Sequence, residues 1–394
     1  RKKYLTLEAI ERMFALKPSL VQTKIYENGS RKALGGKKNA RFFAKASIEN
    51  DDVKVVVYSA HEYERKYLTE SVLNVFGGSR SKLVTARLTE ETVDLSIGCN
   101  VACCFVNDDL SESVLKRLRE NGVEAIMLRC AGFDRVCVET AKELGIEVYR
   151  VPRYDPESIS DMAIALIMAL NRKIVISHDR VKVGNFMLDG LVGFRMRRKT
   201  IGILGTGKIG RGLSQAMVHG FGMRCLGYDK YPDKEGFAGT YVDTIDELIE
   251  QSDVISLHLP LNEETKHVIN ENTIKKMKKG AMLINTSRGG LLNIKEVILG
   301  LRNGSIGSLG IDVYETEEKI FAIDFSKLTI EEKMIYWDDT FAQLSSLPQV
   351  IVTPHQAFLT HDALEEISKT TKENIEAFAK RDVANGSQNG NRIC

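Results

Sequence analysis

The 394-residue sequence predicts an α/β protein built on two parallel sheets, and three observations carry that expectation. Short apolar runs alternate with longer helical patterns, which is the signature of strand–helix–strand units with helices on both faces of a sheet. The series is interrupted once, at Val151-Pro152, and then resumes, so one chain holds two such units. Length agrees, because 394 residues exceed one ordinary domain.

In the first series, 53–58, 82–84, 101–106 and 124–128 read as strands. Helices are expected over 63–76 and from Ser111, a good N-cap, to the Asn121-Gly122 stop signal. The strand runs are apolar without alternation, as in a sheet buried on both faces. Asp155-Pro156 then opens a long apolar helix through Leu170, a crossover between the two series. Strands at 201–204, 224–228, 254–257, 281–284, 309–313 and 350–352 form the second series, and a last helix follows over 362–378.

Composition narrows the functional class. Hydrophobic residues make up 43% and charged residues 27%, the balance of a globular chain. The longest apolar run, Met162 to Leu170, falls far short of the roughly 20 residues of a membrane helix. Residues 1–46 hold twelve Lys or Arg against three acids, so this stretch is +9 and the rest of a +2 chain is −7. A mildly acidic body argues against a nucleic-acid partner. The basic stretch reads as a terminal extension, loosely packed or akin to an organelle transit segment. Seven cysteines show no CxxC spacing, and Cys103-Cys104 sit inside an apolar run, so buried reduced thiols and no metal site are expected.

The motif Gly205-Thr206-Gly207-Lys208-Ile209-Gly210 follows an apolar strand and opens a helix. In that context Gly205 permits a tight turn, Gly207 lets backbone approach a pyrophosphate, and Gly210 lets helix and strand pack closely. The helix N-terminus adds unpaired N–H groups and partial positive charge. The next strand ends in Asp229, which suits ribose hydroxyls and repels a 2′-phosphate, favouring NAD over NADP.

Three later strand ends deliver polar groups that packing does not require. Arg288 follows a buried strand and precedes Gly289-Gly290, placed to grip a carboxylate with its planar fork. Asp312 is followed by three acids, Glu315, Glu317 and Glu318, and Thr353-Pro354 by His355. Pyruvate, a carboxylate beside a ketone, fits this set. Arginine would hold the carboxylate, and an imidazolium stabilised by a neighbouring carboxylate would donate a proton to the ketone oxygen.

These residues resemble the D-2-hydroxyacid dehydrogenases over roughly Val53 to Lys380. Four stretches resemble the D-lactate dehydrogenases of the bacterial fermentative kind: LRCAGFD from Leu128, VPRYDPE from Val151, NTSRG from Asn285 and TPHQAF from Thr353. The resemblance implies NAD-dependent interconversion of pyruvate and D-lactate, with Arg288, Glu317 and His355 as the catalytic set. It implies that backbone N–H groups around Ala131 and Gly132 bind the substrate carboxylate, and that Tyr154 and Phe358 bound a small pocket. It implies NAD contacts from Gly205, Gly207, Lys208, Ile209, Gly210, Asp229, Leu259, Pro260, Thr265, Thr286, Ser287, Arg288 and Asp312, the last near the carboxamide. It also implies a homodimer, with a higher homo-oligomer as the alternative.

The architecture implied is two Rossmann-like or flavodoxin-like domains, the cofactor domain inserted into a discontinuous substrate domain. The expected segments are an extension 1–50, substrate-domain parts 51–152 and 357–382, a cofactor domain 153–356, and a flexible tail 383–394. The expected compartment is the cytoplasm, or an organelle if the basic extension is a transit segment. Two alternative functions share this fold: that of a relative acting on hydroxypyruvate or glyoxylate, and that of an NAD-sensing, corepressor-like binding protein.

Overall fold

The computed structural model describes residues 53–76, 81–233, 235–321, 323–380 and 390–394, and the backbone of Ile25–Tyr26. Two compact units divide the chain. One holds the described residues up to Tyr154 and from Leu364 onward, and the other runs from Asp155 to Ala363.

The first unit is a sheet of β1 (Ile25–Tyr26), β2 (Val55–Val57), β3 (Lys82–Val84), β4 (Val101–Cys104), β5 (Ala125–Leu128) and β6 (Glu147–Arg150), in the order β1-β3-β2-β4-β5-β6. Strands β2 to β6 are parallel. The chain passes from β2 to β3 on one side, then to β4 on the other, the flavodoxin-like order. Successive residues of β2 enter opposite cores, Val55 and Val57 one, Val56 the other, which is why the run carries no polar alternation. Cys103 and Cys104 are fully buried, and all seven cysteines are free thiols.

Two segments expected to lie apart from the sheet contribute to it. Ile25–Tyr26, inside the expected extension, pairs antiparallel with β3. The remainder of 1–50 lies outside the described residues. Residues 390–394, expected as part of a flexible tail, instead line β6. Ile393 N–H donates to Val148 O at 2.7 Å, and Cys394 O accepts from Val148 N–H at 3.1 Å. An edge strand leaves backbone groups unpaired, and Ile393 brings an apolar side chain against the adjoining core.

The second unit is a seven-stranded sheet of β7 (Thr200–Leu204), β8 (Arg224–Tyr228), β9 (Thr240–Tyr241), β10 (Val254–Leu257), β11 (Ala281–Asn285), β12 (Ile306–Ile311) and β13 (Val350–Val352). Every pairing is parallel, in the order β13-β12-β11-β10-β7-β8-β9. The order reverses between β7 and β10, the Rossmann arrangement, and ligands of such sheets bind beyond the strand ends at that reversal. The long helix Pro156–Asn171 buries Ala163, Leu166, Ile167 and Leu170 against one face, with Ile201, Ile203, Met282 and Ile284. The unit ends at Ala363, beyond the residue 356 expected from sequence. Residues 357–360 are tied into it: Ala357 N–H donates to Asp312, and the Thr360 and Ser158 hydroxyls meet at 2.7 Å.

Candidate active site

The glycine loop turns from β7 into the helix Lys208–Gln215. Gly205 has φ +93°, and a Cβ there would lie 2.4 Å from the His258 carbonyl oxygen, so the end of β10 packs directly on the turn. A Cβ at Gly210 would lie 2.1 Å from the Gly205 oxygen. Both positions are closed to side chains by backbone. Gly207 differs. Its φ of −63° is ordinary, and a Cβ there would meet nothing within 4 Å. Gly207 is the N-cap of the helix and no side chain caps it, so the N–H groups of the first turn are left without a capping side chain.

Those features fit a dinucleotide pyrophosphate. Asp229, at the end of β8, accepts the Thr206 N–H (2.7 Å) and hydroxyl (3.2 Å) on one oxygen and the Tyr231 N–H (2.9 Å) on the other. A carboxylate has about four acceptor sites, so one stays available for a ribose hydroxyl. Leu259 packs its backbone on Gly205. Thr265 donates its hydroxyl to Pro260 O at 2.6 Å, closing the turn after β10. Thr286 Oγ1 is buried without a hydrogen-bond partner, as a group awaiting a ligand would be. Its neighbour Ser287 donates to Leu257 O at 2.7 Å, fixing the turn after β11 to β10.

That same turn carries Arg288. Asn285, fully buried, donates to Arg288 O at 2.8 Å and accepts from Ser287 N–H at 3.0 Å. Gly289 is forced by contact: a Cβ would lie 2.1 Å from the Tyr314 carbonyl carbon. The arginine turn is thereby pressed against the segment leading from β12 to the three acids. Arg288 is half-buried, and its Nη1 donates to Ser287 O at 2.7 Å.

Of those acids, Glu317 is the one bonded to His355, with Nδ1 and Oε1 2.5 Å apart. The second Glu317 oxygen accepts the Tyr314 N–H at 2.9 Å, so the carboxylate is held at both ends. Glu315 pairs instead with His267 at 3.0 Å. His355 stands in the left-handed region (φ +56°), which costs energy for a residue with a side chain. Asp312 holds the turn in that shape. Its carboxylate accepts the Thr353 hydroxyl, the Gln356 N–H at 2.9 Å and the Ala357 N–H at 2.7 Å. Burial pushes the Asp312 carboxyl up, and these three donors oppose that shift.

Arg288, Glu317, His355, Asp312, Phe358 and all the glycine-loop residues therefore belong to the second unit, whereas Ala131, Gly132 and Tyr154 belong to the first. Sequence reading passed over Asn285 as a support for the arginine turn, because its role appears only once β11 ends at that residue.

The D-isomer specific 2-hydroxyacid dehydrogenase NAD-binding domain model matches residues 164–357. The D-lactate dehydrogenase of Escherichia coli is 45% identical over 330 residues, 83% of this chain and 97% of the relative. Among solved structures, the pyruvate reductase of Chlamydomonas reinhardtii matches with TM-score 0.78 and 43% identity, over 83% of this chain and 96% of its own. The D-lactate dehydrogenase of Aquifex aeolicus, solved with NAD and lactic acid, matches with TM-score 0.73 and 31% identity, over 86% and 99%. Glycine loop, strand order and overall likeness agree, and this chain belongs to the D-isomer specific 2-hydroxyacid dehydrogenase family.

Proposed function

We propose that this chain is an NAD-dependent D-lactate dehydrogenase that reversibly reduces pyruvate to D-lactate. The observation that carries the reading is the 2.5 Å bond between His355 Nδ1 and Glu317, with Arg288 on the turn packed against the segment that leads to Glu317. With Nδ1 committed to a carboxylate, the proton exchanged with substrate sits on Nε2. Glu317 stabilises the imidazolium, which gives its proton to the ketone oxygen, and in lactate oxidation the neutral ring takes it back. Arg288, with its planar fork, is assigned to the substrate carboxylate, and so are the backbone N–H groups around Ala131 and Gly132 that the family resemblance points to. NAD, when bound, supplies or accepts the hydride. Gly205, Gly207, Lys208, Ile209 and Gly210 would cradle its pyrophosphate. Asp229 would take the ribose hydroxyls, and the turns bearing Leu259, Pro260, Thr265, Thr286, Ser287, Arg288 and Asp312 would take the rest.

Substrate size is assigned to Phe358, buried, and Tyr154. One methylene in an apolar pocket discriminates by roughly 10–200-fold. Steady-state kcat/KM for pyruvate, hydroxypyruvate, glyoxylate and 2-oxoisocaproate tests this, with pyruvate expected to rank first. A different leader would remove the lactate assignment while leaving the family chemistry, and turnover of none would favour a binding protein.

The assembly proposed is a homodimer. Val183, Phe186, Met187, Leu188 and Val192 stand exposed in one short segment of the second unit, an apolar patch of the kind that marks a protein interface. Sedimentation of the full chain checks it, with a monomer as the contrary result. No helix among the described residues is long and apolar enough to cross a membrane. We place the protein in the cytoplasm, with an organelle as the alternative. Localising a full-length fusion beside one starting at Val53 separates the two.

A further inference from the structure

The loop after β5 supplies the N–H groups that the proposed function gives to the substrate carboxylate. Among the described residues, the N–H groups of Ala131 and Gly132 donate to nothing. What aims them lies at the end of the neighbouring strand β6. Arg150 donates from Nη1 to the Ala131 carbonyl oxygen at 3.1 Å, and its guanidinium carbon lies 5.1 Å from the centre of the Phe133 ring. One side chain thus grips the loop before and after Gly132.

The Ala131 carbonyl and the Gly132 N–H belong to one peptide unit, and no cis peptide occurs among the described residues. In a planar trans unit these two groups point in opposite directions. Holding the carbonyl therefore fixes where the Gly132 N–H points. A cationic donor on the carbonyl also polarises the amide, making its N–H a stronger donor to an anion. Cys130 does the same for the next unit, its thiol donating to Gly132 O at 3.2 Å.

Arg150 is itself held at both backbone groups. Its N–H donates to Asn391 O at 3.1 Å, and its carbonyl accepts from Asn374 Nδ2 at 2.9 Å. Asn391 Nδ2 in turn donates to Asn374 Oδ1 at 2.9 Å. The guanidinium springs from a fixed base, and it forms no ion pair with a carboxylate among the described residues that would draw it elsewhere.

We infer that Arg150 is a positioning residue for the 2-oxoacid carboxylate, acting through the Ala131–Gly132 peptide. The inference rests on the proposed function, which assigns the substrate carboxylate to this loop. Arg150→Met removes both grips and Arg150→Lys keeps a cation without the planar fork. For Arg150→Met, the KM for pyruvate is expected to rise about 10–100-fold, the loss of roughly one charge-assisted bond. Its kcat should stay within about threefold and its NADH affinity should not change. Oxamate, titrated against the enzyme–NADH complex, should weaken by the same factor as pyruvate.

Arg150→Lys should lie between, with KM raised about threefold or more. Wild-type KM in the lysine variant overturns the inference even if the methionine variant does not fold. A fall in kcat with KM unchanged also overturns it, since that is the mark of lost active protein. If the wild-type enzyme binds NADH yet turns over no pyruvate, the proposed function fails instead, and the two failures are distinct.

Discussion

Gly207→Ala separates the fold of the cofactor unit from its ligand. The Cβ added there meets nothing within 4 Å, and the backbone at φ −63° accepts alanine. Alanine at an N-cap costs about 0.5–1 kcal/mol relative to better caps, and the loss of glycine freedom in the unfolded chain returns about 0.4–1. Stability should therefore change by less than about 1 kcal/mol. The methyl group would occupy the space assigned to the pyrophosphate, and overpacking of that kind costs about 1–3 kcal/mol. NADH affinity should fall by about 5–150-fold.

Gly210→Ala is the contrast. Its Cβ would sit 2.1 Å from the Gly205 oxygen, so the helix Lys208–Gln215 must move by more than 1 Å, and both stability and affinity should drop. The assay is NADH fluorescence titration beside thermal unfolding for the two variants. Wild-type NADH affinity in Gly207→Ala would refute the placement of the phosphates.

Three further outcomes are expected. His355→Gln should lower kcat by about 10²–10⁴-fold, the worth of a general acid, with NADH binding kept, and unchanged turnover would remove the role given to it. Arg288→Lys should raise the KM for pyruvate at least tenfold, because an ammonium lacks the planar fork. Equal kinetics for the two enzymes would show that bidentate capture is wrong. Burial lowers the His258 imidazole from 6.5 to about 4, and its Nδ1 is buried without a hydrogen-bond partner. The unfolded chain then binds that proton at higher pH than the folded one. The stabilisation is complete above about pH 6.5 and is lost as pH falls toward 4. The residue as a whole is only half-buried, so about 3 kcal/mol is an upper bound. Urea unfolding at pH 7 and pH 5 should show a drop that His258→Asn lessens, and identical slopes would contradict it.

Much of this was legible in the sequence because it is local. Strands 224–228, 254–257 and 350–352 fall where their apolar runs lie, and the glycine spacing announces its own turn. The choice of Glu317 over Glu315 and Glu318 comes from the family resemblance, which sets the acid five residues after Asp312, and not from the residues by themselves. It depends on which carboxylate the turn after β12 aims at a histidine 38 residues beyond Glu317. Asp312 is a similar case. Its partners at Gln356 and Ala357 lie 44 and 45 residues away, so its hold on the histidine turn emerges only when β12 and β13 pair. Arg150 ends a four-residue strand, Glu147–Arg150, whose charged ends conceal it.

The central claim is that NADH reduces pyruvate to one stereoisomer, with Arg288 holding the substrate and the Glu317-supported His355 supplying the proton. Chiral chromatography of the product, after pyruvate and limiting NADH are mixed with the purified full chain, measures it. One D-lactate per NADH consumed is the expected result. L-lactate, a racemate, or NADH left unoxidised would contradict the account.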